Sequence, residues 1–398
     1  MRAVVVAGFD SSLKYGSRVA DALEARGVEV DLRVPTTGAP RLLSDAQIAA
    51  VTGRRPRFDP WPEVVAAAAA ADAVLPVLDG PNVERFFRDV HAATAPGRRP
   101  VMAAGYVGMA LYDLVSGYLG RSLADVLAVN TRGDLALFAD AARRLGMPDG
   151  NLLLAGLALL PTTPAPQRTG PIRTVVLTDQ PTVPRTEADR VLLWDGLLDY
   201  AVRHPDRTVL LKPRHRPGED TFHRMRTSPE GWAATRRLPP NLRIDHTPVE
   251  TVVQRADLLL TVSSTAALEA IAHGVRVAFV ADRVDDGSLN PPLLPSGLLR
   301  RFDQIAADDL GSPEPAWIDD VFPAHDGAAP ADRFAERIVD VVQGRSPRLH
   351  DALWDSGVHE SRRRTEAARA AFAAPGRRLT PRRLAAGGLR RALRLVEG

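Results

Sequence analysis

Ala256-Asp-Leu-Leu-Leu-Thr-Val-Ser-Ser-Thr-Ala-Ala-Leu-Glu-Ala-Ile-Ala-His-Gly274 reads as one strand running straight into one helix. Leu258 to Val262 is a short apolar run of strand type, as in a parallel sheet covered on both faces. Ser263, Ser264 and Thr265 supply helix-start chemistry, Ala266 to His273 is rich in helix formers, and Gly274 ends the helix. A strand end joined to a helix start aims hydroxyls, backbone N–H groups and the positive end of the helix dipole at one point, which suits a phosphate. Glu269, further along the helix, is in reach of a ribose or of a neighbouring loop. The same Ser-Ser-Thr run is also how an ordinary helix begins, so the pattern needs company.

Two other strand ends provide it. Thr208 to Lys212 is a strand, and the loop that leaves it, Leu211-Lys-Pro-Arg-His-Arg-Pro-Gly-Glu219, carries Lys212, Arg214, His215 and Arg216. These are donors for phosphate oxygens, and His215 is the member able to protonate a leaving group. Thr178-Asp-Gln-Pro-Thr182 follows another strand, with Gln180 offering an amide to a base, sugar or phosphate. Together the three segments describe a site for a diphosphate or phosphodiester, most simply that of a nucleotide sugar.

The chain has 398 residues, 45% of them hydrophobic, which allows two ordinary cores. It has no cysteine, so disulfides and thiolate metal sites are excluded and a reducing, cytoplasmic setting is expected. His91, His204, His246 and His325 show no metal-ligand spacing, and neither a metal nor a cofactor is expected. A net charge of +3 gives no argument for nucleic acid. Of 51 basic residues all but Lys14 and Lys212 are arginine, the bias of a GC-rich genome, and both lysines fall in loops leaving strands. The opening Met-Arg-Ala-Val-Val-Val-Ala-Gly is a strand rather than a signal peptide, and no run is long enough for a membrane helix. Dinucleotide-binding, P-loop and nucleophile-elbow motifs do not occur, which counts against dehydrogenase, kinase and hydrolase chemistry.

Strands alternate with helices through residues 1–160, predicting a first Rossmann-like domain. Its expected elements include a strand at Ala3–Ala7, a helix at Ser17–Arg26, a helix starting after Asp79 and a strand at Asn151–Leu159. Residues 161–171, rich in proline, form an extended linker. A second alternating series over 172–345 predicts a second Rossmann-like domain, with a helix at Glu187–Arg203 and a last helix at Ala331–Gln343. The fold class is therefore α/β, two domains facing a cleft, followed by an arginine-rich tail over 346–398. In the first domain Asp10 is the leading candidate for a general base, with Lys14, Asp79 and Tyr106 as acceptor-binding candidates. Asp10 is equally placed to cap a helix. Residues 376–398 hold seven arginines and one acid, with Leu389, Ala392, Leu393 and Val396 at helical spacing, a pattern for an anionic membrane surface or for a solvated tail.

Strand, Gln180-Pro181; strand, Lys212-Pro213 with Arg and His; then strand, Ser263-Ser264-Thr265, helix and Gly274 resembles the second domain of GT-B glycosyltransferases. The pattern is most similar to bacterial capsule enzymes that use CMP-activated acidic sugars, the Kdo transferases and polysialyltransferases. It is similar also to actinobacterial chains of this length assigned as glycosyltransferases. The resemblance implies that His215, Ser263 and Ser264 contact nucleotide phosphates and that Gln180-Pro181 matches a family motif. Here Lys-Pro-Arg-His-Arg-Pro stands where those enzymes have Lys-Pro-His-Pro, so the histidine is displaced by one position.

The expected function is transfer of a sugar from a nucleotide-sugar donor, CMP-sugar favoured and UDP-sugar allowed, to a cell-envelope glycan or glycolipid. Lys212, Arg214, His215, Ser263, Ser264 and Thr265 hold the donor phosphates, with Gln180 and Glu269 beside them, and no metal takes part. The alternatives are a sugar-nucleotide epimerase or hydrolase on the same scaffold, and a non-catalytic scaffold acting through its basic tail at a membrane.

Overall fold

The computed structural model describes residues 1–36, 48, 53–95, 97–108, 114–181, 183–214, 227–282, 291–323 and 327–349. Both sheets lie within one unit, residues 1–351. The first sheet comprises β1 (Arg2–Ala7), β2 (Glu29–Thr36), β3 (Arg57–Pro60), β4 (Ala73–Val77), β5 (Val101–Ala104), β6 (Val126–Val129) and β7 (Leu152–Leu154). The second comprises β8 (Thr174–Thr178), β9 (Thr208–Lys212), β10 (Leu242–Ile244), β11 (Leu258–Thr261), β12 (Arg276–Val280) and β13 (Leu299–Arg300). Their orders are β3-β2-β1-β4-β5-β6-β7 and β10-β9-β8-β11-β12-β13. Every pairing is parallel. Val4 to Ala7 and Leu258 to Leu260 are wholly buried, as central strands covered on both faces must be.

The two sheets share a topology. Each runs outward for three strands and then returns to add the rest on the other side, so each has a switch point, at β1/β4 and at β8/β11. Ligands of open α/β sheets bind beyond the carboxyl ends of the strands at such points. In the second sheet Val176, Leu210 and Leu259 pack on one side with Val252, Val253, Ala267 and Ile271. Val175, Leu177, Val209, Leu211 and Leu260 pack on the other with Trp194 and Leu197. Alternation along a strand therefore puts Thr178, Lys212 and Thr261, the last residues of β8, β9 and β11, on the first face.

The linker has no regular secondary structure and is pinned along the second domain, with Ala165 N donating to Ala272 O at 3.0 Å and Arg168 N to Gly274 O at 2.8 Å. Gly274 has φ +72°, and a Cβ there would stand 2.3 Å from Pro166 O. The sequence reading carried the second domain to 345, but the helix Pro330–Val342 crosses back and packs on the helix Asp10–Glu24, β5 and β6. Its buried stripe of Phe334, Ala335, Ile338, Val339 and Val341 is what covers that face. Asp332 pairs with Arg26 at 2.8 Å, and Thr162 Oγ1 donates to Ala328 O at 3.1 Å, so the two crossings lie side by side.

The first residues read as tail are also anchored. Arg348 donates to Arg99 O at 2.6 Å, and Leu349 N to Asp125 Oδ1 at 3.0 Å. Asp125 is fully buried and takes both Arg99 Nη1 at 2.6 Å and Nη2 at 3.0 Å. The basic stretch 376–398 lies outside the described residues. Among the described residues no helix is long and apolar enough to cross a membrane.

Candidate functional site

At the carboxyl edge of the second sheet, Gln180 Oε1 accepts from Ser263 N at 2.9 Å, bridging the ends of β8 and β11. Ser264 N donates to Thr261 Oγ1 at 3.3 Å, and Ala266 N to Ser264 Oγ at 3.2 Å. The sequence predicted free amides at this turn; these three have acceptors inside the domain. The helix that follows, Ala266–Ala272, is two turns long, so its dipole is a modest contributor. What this edge offers an anion is a braced turn bearing hydroxyls, with the neighbouring cations supplying the charge.

Those cations come from the end of β9. Lys212 is buried, and its Nζ donates to Pro213 O at 2.6 Å. Against partial burial, hydrogen bonds from Thr247 and the charges of Arg243 and Lys212 hold the Asp245 carboxyl below its usual range. Arg214 reaches across to the first domain, its Nη2 3.4 Å from Asp10 Oδ1. His215 and Arg216 lie outside the described residues.

On the first domain the helix starts at Asp10, well before the predicted Ser17. Ser12 Oγ accepts from Gly8 N at 3.0 Å and Phe9 N at 2.8 Å, which lets the chain turn from strand to helix at once. Asp10 is thus the first helical residue and leaves capping to Ser12. Lys14, one turn on, pairs with Glu269 and Glu250 of the second domain, both at 2.7 Å, rather than standing open to an acceptor. Burial alone would lower its pKa, but the two carboxylates outweigh that and hold the ammonium above its ordinary value.

Asp79 caps the helix Gly80–Ala93 by accepting from Asn82 N at 3.1 Å. Tyr106 turns inward, its ring 5.4 Å from that of Phe138 and 4.2 Å beneath the Arg121 guanidinium; burial pushes its phenol up to about 12. The loop it belongs to is held from below. Asn130 Nδ2 donates to Tyr106 O at 3.1 Å and Gly108 O at 2.7 Å, and Arg121 donates to Gly105 O and Leu78 O, each at 3.2 Å. Gly108 approaches the opposite domain closely enough that a Cβ on it would stand 3.0 Å from Thr265 Cγ2.

Structure therefore brings together Asp10 with Arg214, Lys14 with Glu269, and Gln180 with Ser263, while Asp79 and Tyr106 serve their own domain. Sequence reasoning missed Glu250, Arg121, Asn130 and Asp179. Asp179 lies between two residues already quoted, yet it points to the other face of the sheet. Only 4% exposed, it accepts from Trp194 Nε1 at 3.0 Å, and its Oδ2 has no hydrogen-bond partner among the described residues. Burial pushes its carboxyl up to about 6, with the Trp194 hydrogen bond and the Arg190 charge working the other way. Among the described residues no group of three or more His, Asp or Glu side chains is arranged to hold a metal.

The sequence matches, over residues 3–341, the family described as "Putative glycosyltransferase (DUF6716)". The chain belongs to this family. No curated protein matches it. Among solved structures it is similar to the UDP-GlcNAc 2-epimerase of Methanocaldococcus jannaschii in complex with UDP-GlcNAc and UDP, at TM-score 0.55 and 10% identity over 86% of this chain and 100% of that one. It is similar also to Staphylococcus aureus MnaA with UDP, at 0.54 and 12% over 86% and 96%. A third likeness, to Arabidopsis thaliana UGT89C1 complexed with UDP, is 0.54 and 12% over 86% and 99%. At these identities the likeness concerns the fold: this family member has the GT-B arrangement of two Rossmann-like domains.

Proposed function

We propose that the protein transfers a sugar from a nucleotide-sugar donor, bound on the second domain, to an acceptor bound on the first. The observation that carries the reading is the pair of contacts at the carboxyl edge of the second sheet: Gln180 braces the Ser263–Thr265 turn at the β8/β11 switch point, and Arg214, just after β9, faces Asp10 across the cleft at 3.4 Å. As the bond to the sugar breaks, negative charge grows on the leaving phosphate. Lys212 and Arg214, with His215 from the same loop, stabilise that charge in place and make the transfer independent of a metal. Asp10 takes the proton of the attacking hydroxyl.

The resemblance to capsule enzymes favours a CMP-sugar and an envelope glycan or glycolipid acceptor; the UDP held by the structural neighbours favours a UDP-sugar. The working location is cytoplasmic, with residues 376–398 resting on the inner membrane surface. The test is calorimetric titration of CMP, CDP, UDP, GDP and ADP without metal. One nucleotide should bind selectively, and Lys212→Ala should weaken it by about tenfold or more, the worth of a charge-assisted hydrogen bond. Equal affinity in Lys212→Ala, or no binding at all, refutes the assignment. Conversion of the sugar nucleotide with no acceptor present would make it an epimerase or hydrolase instead.

A further inference from the structure

Asp10 and Lys14 sit one turn apart on the helix Asp10–Glu24, and each engages the second domain with the opposite sign of charge. The two contacts differ in quality. Lys14, its side chain 15% exposed, is gripped by two carboxylates at 2.7 Å, Glu269 at 17% exposure and Glu250 at 36%. Asp10 and Arg214 are 32% and 35% exposed and 3.4 Å apart, a looser contact that water can screen. A helix is stiff over one turn, so whatever fixes Lys14 also fixes Asp10.

We propose that Lys14 and Glu250 are positioning residues for Asp10: their ion pair pins the start of this helix to the second domain and sets the Asp10 carboxylate beside Arg214, at the mouth of the phosphate site. This role rests on the reading of Asp10 as the base. It divides the labour between the pairs. Donor phosphates, competing for Arg214, take the place of Asp10 and release its carboxylate toward the acceptor, while the Lys14 pair keeps the helix where it was.

The absence of native cysteine makes the test direct. Arg143→Cys on the first domain and Arg203→Cys on the second, both exposed, carry spin labels whose separation is read by pulsed dipolar spectroscopy. The parent should give one narrow distribution. Glu250→Gln and Lys14→Met should shift it to longer separations, and Lys14→Arg should restore it. In a turnover assay with the nucleotide sugar chosen by titration, Glu250→Gln should lower kcat by about tenfold to a hundredfold, as for a base moved by about 1 Å, with KM little changed. Label distributions that coincide with the parent, or an opened cleft with kcat unchanged, overturn the proposal. Failure of the parent to bind any nucleotide removes the donor reading and this role with it, and titration, not the labels, reveals that failure.

Discussion

Replacing Asp179 by asparagine should change how stability responds to acid. The carboxyl is 4% exposed, and burial raises it from the ordinary 3.8 to about 6. A tenfold change in proton affinity is about 1.4 kcal/mol, so folding penalises the ionised carboxyl by about 3 kcal/mol more than the protonated one. Because the native pKa lies above the unfolded one, the stabilisation from protonation is complete below about pH 4 and is lost as pH rises through about 6. Wild type should therefore gain stability relative to Asp179→Asn as pH falls from 7 to 4.5. The new amide nitrogen occupies an unpartnered position at a cost of about 1–3 kcal/mol, which offsets part of what Asp179→Asn gains at pH 7 by removing the buried charge. Urea unfolding at several pH values, followed by indole fluorescence, measures the difference; Trp194, which donates to Asp179, lies 5.9 Å from Trp232 between ring centroids. A difference between the two proteins that stays constant from pH 7 to 4.5 would refute the reasoning.

Two further substitutions test the frame. Arg99→Ala leaves the fully buried Asp125 carboxylate without its cation and should cost about 3–5 kcal/mol, visible as a lower urea midpoint. Gly274→Ala forces an L side chain to φ +72° and into Pro166 O, and should destabilise by about 1–3 kcal/mol while the donor-site residues stay in place. A thermal melt unchanged from wild type would show that the linker is not held there.

Much of the fold was legible because local chemistry and pattern agreed. The helix Glu187–Arg203 begins where predicted: Thr186 Oγ1 accepts from Asp189 N at 3.1 Å, a start signal written in the sequence. The helix Arg132–Leu145 stops at Gly146, which has φ +62°. Other features resisted. The helix expected from Ser17 begins at Asp10 instead: Gly16, which reads as a helix breaker, is a packing residue whose Cβ would stand 3.0 Å from Val5 Cγ1. The strand expected over Asn151–Leu159 ends at Leu154, because Ala155 N and Gly156 N both turn to Val129 O. β13, two residues long, has no period to detect. At the site, the residues at strand ends were readable from position alone. The partners of Lys14 were not: Glu250 is an acid in the first turn of a short helix, and only the tertiary fold says which cation it meets.

The return of the helix Pro330–Val342 to the first sheet has a consequence for the order of synthesis. The first domain is begun first and finished last. While the second domain is being made, Val101, Ala103, Val126 and Ala128 wait for the apolar stripe that will cover them. Translation at about 5–20 residues per second leaves that face open for roughly ten seconds or more. A nascent chain cut short before Pro330 would hold a complete second sheet beside an unsealed first one, and would be a natural client for chaperones.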